Sequence, residues 1–597
     1  MVKFSSIFGS ARALALLAAL SARTATAYVP IWQPQYPNEA AVTARVIELK
    51  HAGDATGHLL ATFEHWYYPL GQPTNYKQSN GTPSNFFIQE SSDQGQSWST
   101  LATVTAPDDV PNLFFFQPFL FEFPQQLGKY PEGTLLLVGN LHDGNKTYFY
   151  SWRSADHGET WDDIGIWQKG HAITGAPGNP SAGIWEPFLF LDNQNDIVAV
   201  FSDERECETH SQQLVHLVST DGGDTWSGNG DDPVPDVVGS DQESRPGMAT
   251  VAKMDNGEYF MSYEWCDIRY YQSTGSCPVH GKTSSDGVSW NPSDNGTYVS
   301  TPDGVLGCGS PYSIWDPVGK QLIVSSSSKR WFSVSETENR TDTTMEDHHV
   351  VHINQNYGKD DWYWASAPWY VPAGTDDCNS NYSPDLLPLP NGEILYSTDT
   401  PNDSNQCEEG TLAAPIAILP YSSNFSTAGA AGWVDFDGIW TISGDQYQFP
   451  SVSQPTMVLT GSSGWTDYEI SAAVIITSQS GVAGVFVRAS NSPNDSHLSR
   501  YTAVIDSNRG ELTLYRVGDA DTTTLESQPV TGGVMASQQY HLSLSVQSAN
   551  LVATLTGSNG ATTTVTVTNS DLLRGAAGLY GSYGSGGFSN VQIKDLS

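Results

Sequence analysis

Two glutamates stand out in this sequence as carriers of chemistry. Glu186 sits in Trp185-Glu186-Pro187-Phe188, and Glu264 lies between Tyr263 and Trp265. A carboxyl among apolar neighbours tends to keep its proton, and one beside a cation tends to lose it. A pair divided in this way can attack an acetal carbon with one member and protonate the leaving oxygen with the other. The two carboxyls must then stand roughly 5–5.5 Å apart. Arg245 is the cation expected to hold Glu186 ionised, and the aromatic neighbours of Glu264 are expected to raise its pKa. The alternative for either glutamate is a solvated or salt-bridged surface position.

The elements that position these residues are legible as a repeat. Ser91-Ser-Asp93-Gln-Gly95-Gln-Ser97-Trp98 recurs as Ser154-Ala-Asp156-His-Gly158-Glu-Thr160-Trp161 and as Ser219-Thr-Asp221-Gly-Gly223-Asp-Thr225-Trp226. A shortened copy is Ser285-Asp286-Gly287-Val-Ser289-Trp290. In each copy Asp accepts backbone N–H groups in a tight turn, Gly supplies the unusual dihedral, and Trp packs between strands. A catalytic or calcium-binding use of these aspartates is the lesser alternative. Phe116-Gln117-Pro118-Phe119 matches Trp185-Glu186-Pro187-Phe188, with weaker echoes at Arg45, Arg245-Pro246, Ser310-Pro311 and Ser383-Pro384. Each is read as the start of a repeat's first strand. Second strands end in Glu64, Asp203, Glu264 and Thr398.

Repeats of this length holding several strands predict a six-bladed β-propeller over roughly residues 35–425. An array of β-sandwiches is the other reading. First and second strands of a blade run antiparallel, so the start of one and the end of the next share a face. Glu186 can then face Glu264 of the next blade across the axial mouth, with Arg45, Gln117, Arg245, Glu64 and Asp203 on the same rim.

Composition narrows the setting. The chain has 597 residues and a formal charge of -39, which argues against a nucleic-acid partner. Residues 1–27 read as a secretory signal peptide: Lys3 and Arg12, the apolar run Ala13 to Leu20, and the Ala25-Thr26-Ala27 cleavage pattern. A secreted, extracellular protein with no membrane helix is expected. Up to three disulfides follow from Cys207, Cys266, Cys277, Cys308, Cys378 and Cys407. Cys266 can pair with Cys207 or with Cys277, and a bridge is expected around the last blade, where Cys378 and Cys407 lie. No CxxC pair occurs, so a zinc site is not expected; no catalytic metal or cofactor is assigned, and a structural ion is left open. Asn80, Asn145, Asn295, Asn339, Asn381, Asn402, Asn424 and Asn494 open N-x-S/T sequons, making a surface glycoprotein plausible.

The four turns resemble the Asp-boxes of sialidase-like propellers. Trp185-Glu186-Pro187-Phe188, Ser202-Asp203-Glu-Arg205, Ser244-Arg245-Pro246-Gly247-Met248 and Tyr263-Glu264 look like glycoside hydrolase family 93. That resemblance implies a secreted exo-1,5-α-L-arabinanase, retaining, that removes arabinobiose from the ends of linear plant cell-wall arabinan. It matches Glu186 to the nucleophile and Glu264 to the acid/base, with nearby Glu243 as the alternative acid/base. Arg45, Gln117, Trp185, Arg245, Tyr312 and Tyr382 are the expected substrate-binding residues, the aromatic rings offering flat faces to sugars. Blade packing is the competing use of Tyr312 and Tyr382. A sialidase-type exo-glycosidase is a second reading, though its usual Arg-Ile-Pro entry reads Arg45-Val-Ile here. A non-catalytic glycan-binding propeller is a third. The protein is expected to be a monomer.

The propeller is assigned to residues 28–420. Residues 421–432 read as a linker, since Ser, Ala and Gly dominate there. From residue 433 to 597 alternating strands take over, as in Tyr468-Glu-Ile-Ser-Ala-Ala-Val and His541-Leu-Ser-Leu-Ser-Val546. The pieces Trp440-Thr-Ile-Ser-Gly444, Trp465-Thr-Asp-Tyr468 and Gly575-Ala-Ala-Gly578 resemble a concanavalin-like (laminin-G-like) jelly roll, which implies an all-β chain with a carbohydrate-binding module behind the propeller. Spacer or stabiliser is the alternative role.

Overall fold

The computed structural model describes residues 28–37, 39–67, 85–105, 114–143, 146–171, 182–227, 237–267, 277–331, 350–371, 378–426, 429–491, 498–518 and 521–597. The expected signal peptide and the sequons at Asn80, Asn145, Asn339 and Asn494 lie outside them.

Six sheets follow one another along the first part of the chain. Blade I comprises Glu39–Glu48, Leu59–Tyr67, Asn85–Ser91 and Ser99–Thr105. Blade II comprises Phe114–Glu122, Leu135–His142, Thr147–Ser154 and Asp162–Lys169. Blade III holds Ile184–Leu191, Ile197–Asp203 and Gln213–Ser219, and blade IV holds Ser244–Lys253, Tyr259–Asp267, Val279–Ser284 and Thr297–Tyr298. Blade V is built on Tyr312–Asp316, Gln321–Ser325, Val350–Asn354 and Tyr363–Ser366. Blade VI joins Asp385–Pro388, Ile394–Pro401 and Cys407–Ala414 to the N-terminal strand Val29–Trp32. That last pairing ties the start of the propeller to its end, with the N-terminal strand covering Cys407–Ala414 as the outermost strand of blade VI. Second strands such as Ile197–Asp203 are buried at every position because neighbouring blades cover both faces.

The repeated turns behave as their composition predicts. In the first, Ser91 donates to Asp93 Oδ1 (2.8 Å) and accepts the Gly95 N–H (2.8 Å), while Asp93 takes both the N–H and the hydroxyl of Ser97. The same bonds recur around Asp156, Asp221 and Asp286. Gly95 has φ +87° and lies against Leu395 and Leu59. Each box follows its blade's third strand, at the end of the blade opposite the mouth.

A second compact unit comprises residues 416–597 together with 365–370; residues 28–364 and 371–415 make up the propeller unit. An eight-stranded and a seven-stranded sheet form a sandwich, and their alternating strands, such as Gln539–Gln547, send Tyr540, Leu542, Leu544 and Val546 into a shared core with Trp433 and Trp440. The expected linker differs from what its composition suggested. Tyr421–Ser423 pairs with Val591–Ile593, and the Gly432 N–H bonds to the Pro368 carbonyl, so most of it is sandwich structure. Residues 427 and 428 of that segment lie outside the described residues.

Two disulfides form, Cys266–Cys277 and Cys378–Cys407. Cys207 and Cys308 are thiols, so the local partner of Cys266 prevails and a third bridge is not made among the described residues. Asn381 is fully buried, with its amide donating to the Ser326 and Ser327 carbonyls, and cannot carry a glycan in this fold. Among the described residues no helix is long and apolar enough to cross a membrane.

Candidate active site

The mouth of the propeller is shaped by one backbone device used several times. First strands of blades I to IV each slip register, between Val42 and Arg45, Phe116 and Phe119, Trp185 and Phe188, and Gly247 and Thr250. The first residue inside each slip has positive φ: Thr43 58°, Gln117 50°, Glu186 57° and Met248 52°. These are β-bulges that re-aim a side chain, and non-glycine residues rarely hold such dihedrals without help. Ser310 (32°) and Asn381 (61°) share the sign just before the first strands of blades V and VI.

This alignment corrects part of the sequence reading. Gln117, Glu186 and Ser310 are equivalent as expected. Arg45 stands two residues beyond its blade's bulge, and Arg245 three before its own.

The help comes from the preceding blade. The Gln117 N–H donates to Glu64 Oε1 (2.9 Å), the Glu186 N–H to Gln117 Oε1 (2.8 Å), and the Ser310 N–H to Glu264 Oε2 (2.9 Å). The Met248 N–H reaches Ser202 Oγ (3.2 Å) and Glu186 Oε2 (3.4 Å). In blade I the Ala44 N–H donates to Glu409 of blade VI (2.9 Å). Glu186 is therefore held from two sides. Ser202 donates to its Oε2 (2.5 Å), and the Gln117 amide, itself fixed by Asn140 (2.9 Å), lies 3.4 Å from its Oε1.

Glu186, Glu64, Gln117, Arg45 and Tyr382 line one cavity of about 530 Å³, counting its open mouth. Burial pushes the Glu186 carboxyl up to about 7, the Ser202 hydroxyl opposes this, and the nearby Glu264 adds to it. Glu264 is half-buried as a residue, but its carboxyl lies inside, and burial raises it against the Ser310 N–H and the charge of Arg245. Glu186 thus feels the charge of Glu264, which stands outside the cavity lining and reaches it through the Ser310 N–H and the neighbouring Pro311; carboxyls coupled in this way give up their protons in two separated steps.

Arg245 does not serve Glu186 as expected. Its guanidinium donates to Glu204 Oε1 (2.6 Å) and Gln212 Oε1 (2.8 Å), and its charge acts on Glu264. A side chain on Gly247 would meet the Gln212 amide and displace it from the Pro246 carbonyl, to which it donates (2.8 Å). Glu204, 2% exposed, also accepts the Trp185 indole N–H (3.0 Å). Asp203 is taken by Arg205 in a buried ion pair (2.6 Å) and is a structural residue. Glu243 is exposed outside the cavity lining.

Arg45 bonds to the Ser383 carbonyl (3.0 Å) and hydroxyl (2.7 Å) and stands 5.2 Å over the Tyr312 ring. Tyr312 packs edge-on to Phe188 at 5.9 Å and does not join the cavity lining, which favours its packing role. Tyr382 is 40% exposed at the mouth; burial of its hydroxyl end and the charges of Glu264, Glu186 and Glu64 hold that hydroxyl protonated. Sequence reasoning missed Ser202, Asn140, Glu204 and Met248 as partners of the glutamates. Ser202 and Glu204 lie inside a motif already singled out, but only the folded strand register points them at Glu186 and Trp185.

Known proteins resemble the propeller. Residues 67–291 match the BNR repeat-like domain. No curated protein matches the sequence. A family 93 α-L-arabinofuranosidase of Fusarium graminearum, solved with arabinobiose, is 26% identical over 66% of this chain and 98% of that one, with a TM-score of 0.51. An α-L-arabinanase of Penicillium chrysogenum, also solved with arabinobiose, is 26% identical over 64% and 97%, with a TM-score of 0.50. Repeat, fold and likeness together make the chain a glycoside hydrolase, built on a six-bladed BNR-repeat propeller similar to the arabinanases and arabinofuranosidases of glycoside hydrolase family 93.

Proposed function

We propose that the protein is a secreted retaining hydrolase that acts on linear 1,5-α-L-arabinan from the chain end and releases arabinobiose. Glu186 is the nucleophile and Glu264 the acid/base. In the first step a Glu186 oxygen bonds to the anomeric carbon as the glycosidic C–O bond breaks, and Glu264 gives its proton to the leaving oxygen. In the second, Glu264 takes a proton from water, whose oxygen displaces Glu186 from the sugar.

The observation that carries this reading is the unequal setting of the two carboxyls within electrostatic reach of each other. Glu186 has the Ser202 hydroxyl, the Gln117 amide and the Met248 N–H directed at its oxygens, donors that stabilise its anion against the burial and neighbouring charge that raise it. Once Glu186 is ionised, its charge favours retention of the proton on Glu264. Arabinobiose bound in two similar enzymes supports the substrate and the product length. Arg45 is the one arginine in the cavity lining among the described residues, which disfavours a sialidase, whose substrate carboxylate calls for an arginine cluster. The sandwich is proposed to hold the enzyme on polysaccharide, raising local substrate concentration.

Product analysis on linear arabinan tests the reading. Wild type is expected to release arabinobiose, and Glu186→Gln to lose about 10⁴-fold or more of that rate while keeping its melting transition. A Glu186→Gln protein with near wild-type turnover removes the nucleophile assignment, and an inactive wild type removes arabinan.

A further inference from the structure

Blades I and IV carry a glutamate at the same place. Glu64 pairs across strands with Val42, and Glu264 with Gly247, each partner being the residue just before its blade's bulge. Each glutamate accepts the bulge-region N–H of the following blade at 2.9 Å. At the corresponding place blade II has Asn140, opposite Phe116, and blade III has Ser202, opposite Trp185. In blade III the Ser202 hydroxyl does the capping, and a Gln117 amide oxygen caps the N–H of Glu186. Capping therefore does not require a carboxyl. A buried carboxyl costs desolvation that a hydroxyl or amide largely avoids.

Glu64 bears that cost. It is 4% exposed, lines the cavity beside Glu186, and is linked to it through Gln117. Burial raises it to about 7, against the Gln117 N–H, the Thr43 and Trp66 side chains and the charge of Arg45. We propose that Glu64 is a substrate-binding carboxylate, accepting hydrogen bonds from hydroxyl groups of the sugar ring attacked by Glu186. This rests on the reading of the site as an arabinan hydrolase. A carboxylate accepts sugar hydroxyls in charge-assisted bonds that a neutral amide cannot equal.

Glu64→Gln separates binding from capping, because its amide oxygen still accepts the Gln117 N–H. Arabinan turnover and inhibition by arabinobiose are measured for wild type and variant, with thermal melting of both. The expected result is a melting transition no lower than that of wild type, with affinity for arabinobiose weakened about 10- to 100-fold, appearing in KM more than in kcat. Wild-type affinity and KM in a folded Glu64→Gln protein overturn the inference and leave Glu64 as a cap. If Glu64→Gln does not fold, Glu64→Asp is scored on the same terms: raised KM with a normal melt supports the proposal, wild-type KM overturns it. An active wild type with unaltered variants removes this inference alone. A wild type that neither cleaves arabinan nor binds arabinobiose removes the arabinan reading and this inference with it.

Discussion

On the face of the propeller away from the mouth, four aspartates sit in nearly identical turns. Toward the mouth, Glu64 and Glu186 line the cavity, Glu264 accepts the Ser310 N–H, and in blade VI Asp385 accepts the Val46 N–H (2.9 Å) and Asp399 the N–H of the cavity residue Tyr382 (3.1 Å). The Ser97 hydroxyl pulls Asp93 below its usual value, and in the other boxes the Thr or Ser donors outweigh burial, taking Asp286 to about 2. Toward the mouth burial outweighs the donors, bringing Glu64 and Glu186 to about 7 and Asp385 to about 6, and raising Asp399 as well. The same functional group is a fixed anion in one region and a titrating acid in the other. Donor supply against desolvation decides which. Acid–base chemistry belongs where desolvation wins, and structural turns where donors win.

The sharpest way to break this comparison is to neutralise one carboxyl in each region. Glu264→Gln is expected to lower kcat/KM on arabinan about 10²- to 10⁴-fold, as loss of a general acid does. Asp156→Asn is expected to leave kcat/KM unchanged and to destabilise the fold by about 1–2 kcal/mol, since it weakens the charge-assisted bonds from Thr160. Activity assays beside denaturant melts decide it. An Asp156→Asn protein that melts normally but loses activity refutes the division.

Stability against pH sharpens the comparison further. The mouth carboxyls are raised on folding, from about 4.5 to about 7 for Glu64 and Glu186. The folded state holds their protons more tightly than the unfolded chain, so their contribution is full below about 4.5 and is lost as pH rises through about 7. The box aspartates are lowered, so theirs is present above about 4 and is lost as pH falls toward about 2. The melting temperature is therefore expected to peak between about pH 4 and 5 and to fall by several degrees toward pH 8. Glu64→Gln removes one raised carboxyl and flattens the alkaline decline. A melt that climbs steadily from pH 5 to pH 8 contradicts the burial of these groups.

The two regions also differ in how far they could be read from the sequence. The boxes are local: Ser, Asp, Gly and Trp meet within eight residues, so spacing alone gave their bonds and the blade repeat with them. The mouth is assembled from the ends of strands on successive blades. Glu186, Glu264, Gln117 and Glu64 were legible as strand-end residues on one rim, but the bulges that aim them were not. Thr43, Gln117, Glu186 and Met248 hold positive φ without being glycine, so no residue type marked the slips. Arg45 and Arg245 were accordingly aligned two and three residues out of place. The segment 421–432 misled for a different reason: its small residues resemble a linker, yet Tyr421–Ser423 finds its partner strand near residue 592, beyond the reach of local pattern.

The smallest predicted effect concerns Glu204, which ties Trp185 to Arg245 without lining the cavity itself. Its charge raises Glu186, while Arg245, which it neutralises, lowers Glu264. In Glu204→Gln both consequences run the same way. Glu186 loses a repelling neighbour, and Glu264 faces an arginine whose charge is no longer balanced. Both carboxyls then ionise more readily, so the acid and alkaline limbs of the kcat/KM profile move to lower pH together, by about half a unit to one unit. A glutamate acting only as a brace for Trp185 and Arg245 would lower the whole profile and leave its limbs in place. A shift of the alkaline limb to higher pH contradicts the assignment of Arg245 to Glu264, and with it the electrostatic account of how Glu186 and Glu264 are set apart.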